Sequence, residues 1–116
     1  MRVTTRKVVE ALARRSGRKI GNTQTDGRSL WLWGNKIAQR DGDSLSITFA
    51  GWHTLTTRER LRGVLTILAP HATLVCRGGR DFLNGHYWDG SWADVDNYFG
   101  VEVERPTSIN EEFQSG

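Results

Sequence analysis

The sequence predicts an α+β domain: an antiparallel sheet of four to six strands in meander order, a helix packed on one face, and short flanking helices toward the N- and C-terminal ends. Turn-forming steps recur at 25–28 ("TDGR"), 33–36 ("WGNK") and 40–44 ("RDGDS"), separated by strand-like runs. The run "TTRERLRGVLTIL" then carries an apolar stripe at helical spacing that stops before Pro70. A chain of 116 residues holds one core without staples. The predicted division is a domain over 1–106 and a loose polar tail over 107–116.

Element by element, "TTRKVVEALARR" reads as a short basic helix capped by Thr4 or Thr5, with Val8, Val9 and Leu12 on one stripe and Gly17 ending it. Residues 19–50 form the four-strand meander. A two-residue turn at Gly34-Asn35 sets Trp33 opposite Lys36 and Leu32 opposite Ile37. A three-residue loop, Asp41-Gly42-Asp43, then sets Ile47 opposite Ile37, because a one-residue slip would send every side chain to the wrong face. Leu30, Leu32, Ile37, Leu45, Ile47 and Phe49 thereby share an apolar face, with Gln39 as its odd member. The other face carries Trp31, Trp33, Lys36, Ala38, Arg40, Ser44, Ser46 and Thr48.

The following helix opens on a capping box of Thr56 and Glu59 and buries Leu61, Val64, Leu65 and Leu68. Gly63 falls on its polar side at a cost of about 1 kcal/mol relative to alanine, which points to close approach by another backbone or to plain tolerance. "ATLVCR" at 72–77 reads as a buried fifth strand turning at Gly78-Gly79. "SWADVDNYFG" reads as a short helix capped by Ser91, and "VEVER" as an edge strand before Pro106.

Charge is distributed unevenly. Residues 1–40 hold ten Lys/Arg against two acids, 41–80 five against three, and 81–116 one against eight, giving +8, +2 and −7 within a total of +3. Such a gradient suits a basic surface offered to an anion and an acidic end that meets a cationic partner; mutual neutralisation of the two ends is the alternative. The one cysteine, Cys76, excludes an internal disulfide, and no run is long and apolar enough to cross a membrane or serve as a signal peptide, so a cytoplasmic setting is expected.

Catalytic signals are sparse. His53, His71 and His86 lack metal-type spacing, and HExxH, GxSxG, P-loop and GxGxxG patterns are missing from the sequence, so no metal and no cofactor is expected. A general base at His86 with Asp81, Asp89 and a Cys76 thiol is the one catalytic grouping the spacing allows.

The binding signals are stronger. Rings, cations and hydroxyls alternating on an antiparallel face suit single-stranded nucleic acid, where bases stack and Lys or Arg track phosphates. The expected binding residues are Trp31, Trp33, Lys36 and Arg40, with Arg58 and Arg62 beside them and Asp94, Asp96, Glu102 and Glu104 as the acidic counterpart. Burial of the tryptophans under another element is the competing expectation. Arg58, Arg60 and Arg62 also raise the possibility of a phosphate site at a helix N-terminus, against that of a solvated helix edge.

Together, "GNTQT", "LWLWGNKIA" and "AGWHTLTTRERLRGVL" resemble a pattern in small bacteriophage and prophage proteins: a Gly-Asn-x-Ile-Ala hairpin, then a Gly-Trp-x-Thr-x-Thr-Thr-Arg step into an Arg-Leu helix. Gly34, Asn35, Ile37 and Ala38 match the hairpin; Gly51, Trp52, Thr54, Thr56, Thr57, Arg58 and Leu61 match the step. Trp33 stands where a histidine is expected and Arg62 where an asparagine is. The resemblance spans about residues 21–65 and implies a viral or mobile-element setting, with no particular reaction. In that setting the expected function is non-enzymatic binding of a host protein or ribonucleoprotein effector, as an anti-CRISPR-like inhibitor would act. The alternative is a single-stranded DNA or RNA-binding accessory protein of phage replication or recombination.

Overall fold

A computed structural model describes residues 1–100. In chain order the elements are α1 (Val3–Ala13), β1 (Arg18–Ile20), β2 (Thr23–Thr25), β3 (Ser29–Leu32), β4 (Asn35–Asp41), β5 (Ser44–Ile47), α2 (Leu55–Leu68), β6 (Leu74–Arg77), β7 (Arg80–Leu83), β8 (His86–Trp88) and β9 (Ala93–Asp94). They make two antiparallel sheets, one of six strands in the order β1-β2-β3-β4-β5-β9 and one of three, β6-β7-β8. The α+β meander is therefore as predicted. The edge strand at 101–105 and the tail at 107–116 lie outside the described residues.

Both helices cover one face of the larger sheet. Val8, Val9 and Leu12 of α1 and Leu61, Val64 and Leu65 of α2 are buried with Leu30, Leu32, Ile37, Leu45, Ile47 and Phe49. Of the apolar set predicted for the sheet and the two helices, all but Leu68 are in the core, and Leu68 packs half-buried against it. Burying these side chains is the main source of stability, each contributing on the order of 1.5–3 kcal/mol.

The β3–β4 turn falls one residue earlier than expected, which moves the cross-strand partners beside it by two. The β3–β4 turn is Trp33-Gly34, with φ of 51° and 79°, so Leu32 pairs with Asn35 and Trp31 with Lys36. A bulge then admits an extra residue, and Leu30 pairs with Ala38. Ile37 and Ala38 are consequently both buried. Beyond the bulge the phase is inverted: β4 and β5 turn through Gly42-Asp43, not a three-residue loop, with Ala38 opposite Ile47, Gln39 opposite Ser46 and Arg40 opposite Leu45. Gln39 thus belongs to the face without helices, and Ala38 and Arg40 to the covered one.

Three local predictions are corrected. Helix α1 starts after Arg2 with no side-chain cap, and Thr5 is buried between the helices rather than capping. At α2 the cap is Thr54, whose Oγ1 accepts the Thr57 N–H at 3.1 Å; Glu59 turns away toward α1, so no Thr56–Glu59 box forms. Between Ser91 and Gly100 there is a two-residue strand and turns instead of a helix. The Asp89 carboxylate takes the Ser91 N–H and hydroxyl, and the Asp94 carboxylate accepts the Asp96 N–H at 2.9 Å, local bonds that compete with helical ones. Ala93 pairs with Ile47. The "ATLVCR" strand exists but belongs to the smaller sheet, and its Val75 is exposed.

Candidate nucleic-acid interface

The two threonines of β2 decide which side chains reach the uncovered face. Thr23 and Thr25 point inward: Thr25 Oγ1 donates to the Ser29 carbonyl at 2.6 Å, and Thr23 Oγ1 receives the Arg60 Nε–H at 2.8 Å. Gln24 must then point outward. Its cross-strand partners are Lys19 and Trp31, and Trp31 faces Lys36. Lys19, Gln24, Trp31 and Lys36 form one row across four strands, and among the described residues no helix or strand packs over it.

Within that row the Lys36 ammonium lies 5.9 Å from the Trp31 ring centroid, and Lys36 Nζ donates to Gln39 Oε1 at 3.1 Å. Gln39 Nε2 in turn donates to Asp41 Oδ2 at 3.1 Å, and Arg28 Nη2 lies 2.5 Å from Asp41 Oδ1. The Arg28 hydrogen bond, with that from Gln39, holds the Asp41 carboxyl below the usual carboxylate range. Asp41 is thereby committed to Arg28, and Lys36 Nζ bonds an amide rather than a carboxylate.

Trp33 is at the hairpin tip, not on the face. Its backbone N–H donates to the Asn22 carbonyl at 2.9 Å, and its ring is half-exposed. A left-handed conformation is unusual for so bulky a residue. Arg40, expected on the open face, points the other way and caps α1: Nη1 donates to the Leu12 carbonyl at 3.0 Å and the Ala13 carbonyl at 3.3 Å, groups a helix C-terminus leaves unpaired. Burial, followed by the charge of Arg15, lowers the Arg40 pKa from its ordinary value against an opposing pull from Asp43.

Arg58 and Arg62, expected beside that face, lie on α2 on the covered side. Arg58 clasps buried Asp81 through two bonds, Nε to Oδ1 at 2.6 Å and Nη2 to Oδ2 at 3.0 Å, and the bond to Asp81 raises the Arg58 pKa. Arg62 donates to the Leu74 carbonyl at 3.0 Å. Arg60, only 4% exposed, joins three elements: it donates to Thr23, to Thr5 Oγ1 at 2.9 Å, to Asn22 Oδ1 at 3.1 Å and to Glu59 Oε1 at 2.5 Å. The three arginines of this helix serve the fold.

The acidic counterpart is partly described. Asp94 closes the turn to Asp96 and Asn97, and Asp96 pairs with His71 at 2.5 Å; Glu102 and Glu104 lie outside the described residues. The proposed His86 grouping is not assembled: Asp81 is held by Arg58, Asp89 by Ser91, and His86 lines a shallow groove with His71, Asn84 and Asp96. His53, stacked on Phe49 with centroids 4.5 Å apart, is the histidine near Asp81, at 3.7 Å. Among the described residues no three His, Cys, Asp or Glu side chains converge as metal ligands.

Lys19 and Gln24 are the row members that sequence reasoning missed. The signal was the Gly21-Asn22 step, which splits one expected strand into β1 and β2 and brings Lys19 opposite Gln24.

No helix among the described residues is long and apolar enough to cross a membrane. No curated protein and no solved structure matches the chain. The family model described as Kyanoviridae Gp96 protein matches residues 1–104, nearly the whole chain and the entire described fold, and the chain therefore belongs to that family of phage proteins.

Proposed function

We propose that this phage protein acts by binding, without chemistry of its own, and that its ligand is a single-stranded nucleic acid laid across the open face of the larger sheet. The observation that supports this reading is the row Lys19, Gln24, Trp31, Lys36. With strands about 4.8 Å apart it spans roughly 14 Å. A base stacked on Trp31 would contribute about 1–3 kcal/mol, the two ammonium groups would meet phosphates on either side, and the Gln24 amide would offer a donor and an acceptor to a base edge. The basic charge of the first forty residues agrees with this polarity. The test is oligonucleotide affinity against salt: two phosphate contacts predict a log–log slope of about −1.4 on a single strand, reduced in Lys36→Ala. Absence of binding at low salt removes the reading.

A second reading, inhibition of a host nucleic-acid-handling machine in the manner of an anti-CRISPR protein, is favoured by Trp52 and Leu55. These stand 52% and 82% exposed where the chain enters α2, and exposed large apolar side chains close together suit a protein contact. Capture from host lysate should then return a stoichiometric complex that Leu55→Ser weakens.

A further inference from the structure

The smaller sheet has an outer face of its own. Burial alternates along its strands: Leu74, Asp81, Leu83 and Trp88 are sealed inside, whereas Val75, Arg77, Arg80 and Tyr87 are exposed and Phe82 is half-buried. Registration places Val75 opposite Phe82 and Phe82 opposite Tyr87, with Arg77 opposite Arg80. The Phe82 and Tyr87 rings meet edge to face, centroids 6.2 Å apart at 79°, and the Arg77 guanidinium lies 4.9 Å from the Phe82 centroid.

This face combines two rings, an aliphatic side chain and two arginines. None of the three strands places an acid on it, because Asp81, the acid within them, points inward to Arg58. Beyond it the chain reverses at Gly78-Gly79, where an added Cβ would meet nothing within 4 Å, so among the described residues nothing crowds the turn beside the arginines. Guanidinium groups that meet no carboxylate among the described residues, beside exposed rings, match a polyanion whose units each carry a flat π-system. An acidic protein segment would satisfy the arginines but leave the rings unmatched.

We infer that the outer face of β6–β8 is a second surface for single-stranded nucleic acid, separate from the Trp31 row: one base stacks on Tyr87, another on the Arg77–Phe82 stack, and Arg80 meets a phosphate. The ligand class rests on the function proposed above, but the surface does not.

Ultraviolet cross-linking of the full chain to a short single-stranded oligonucleotide, with the cross-linked peptides identified by mass spectrometry, tests it. The expected result is adducts on the peptide containing Phe82 and Tyr87 that persist in Trp31→Ala/Lys36→Ala. Arg77→Ala/Arg80→Ala, at two exposed positions, should lower affinity about tenfold and flatten the salt slope by about 0.7, the share of the one phosphate that Arg80 meets. Adducts confined to the Trp31 peptide, with the arginine variant binding like the parent, would overturn the second surface and leave the first reading standing. Failure of the parent chain to bind at low salt would overturn both. Sedimentation showing a dimer dispersed by Tyr87→Ser, with no adduct at that face, would assign it to self-association and overturn the inference.

Discussion

Gly63 of α2 abuts Thr5 of α1 so closely that a methyl group added to the glycine would stand 2.3 Å from Thr5 Cγ2. This contact is why a helix tolerates glycine at its midpoint: the two helices cross there at a distance only a bare backbone permits. Gly63→Ala is therefore expected to destabilise the protein by about 1–3 kcal/mol through overpacking, reversing the roughly 1 kcal/mol gain alanine gives an unobstructed helix. Urea denaturation measures it, and Thr5→Ser, which removes the obstructing methyl but keeps the hydroxyl, should restore most of the loss.

The Arg60 guanidinium ties the β1–β2 turn and both helices together. Arg60→Met removes a buried cation and leaves Glu59 without its cationic partner, an imbalance expected to cost about 3–5 kcal/mol. Arg60→Lys should recover little, since an ammonium cannot span Thr23, Thr5, Asn22 and Glu59 as a planar fork does. A midpoint for the lysine variant equal to the parent's would refute the role of the fork.

Glu59 makes the helix pair sensitive to acid. Burial opposes its charge, but hydrogen bonds from Thr5, the Arg2 N–H and Arg60 outweigh that and lower its pKa from the ordinary 4.5. A lowered folded pKa means the unfolded chain binds the proton more readily. The stabilisation is thus complete above about pH 4.5 and is lost as pH falls through the lower folded value. Stability measured between pH 3 and 7 should decline less steeply at the acid end in Glu59→Gln, which starts from a lower plateau; parallel curves would contradict this.

Trp33 holds a turn position that asparagine fills with less strain, at φ 51° beside Gly34 at 79°. Trp33→Asn is expected to raise stability by about 1 kcal/mol by relieving the left-handed penalty. A thermal midpoint that falls would show instead that the half-exposed ring packs favourably enough to offset it.

The same turn shows where sequence reading reached its limit. Apolar patterning identified the core positions from Leu30 to Phe49 except Ala38, which was assigned to the open face and is buried, because burial follows residue type. Register depends on a turn whose left-handed position is occupied by tryptophan, so the pattern favoured the Gly34-Asn35 step one residue later. The bulge at Ile37 then carried the shift onward, exchanging Gln39 and Arg40 between faces. Trp31 and Lys36 remained on the open side because they precede the bulge. The arginines of α2 were legible as cations but not as partners of Asp81, Leu74 and Glu59, since those contacts come from elements distant in sequence. The glycine at 63 left close approach by a backbone and plain tolerance equally open in the sequence; what approaches is the Thr5 side chain, from an element distant in sequence.

The indole N–H signals of the five tryptophans, followed by ¹⁵N nuclear magnetic resonance during titration with a single-stranded oligonucleotide at low salt, report whether a base stacks on Trp31. If nucleic acid lies on the open face, the Trp31 signal, assigned by Trp31→Phe, moves progressively to saturation, while that of Trp88, buried and bonded to the Ser91 carbonyl at 2.9 Å, stays in place. A Trp31 signal that does not move in the presence of excess oligonucleotide would contradict it.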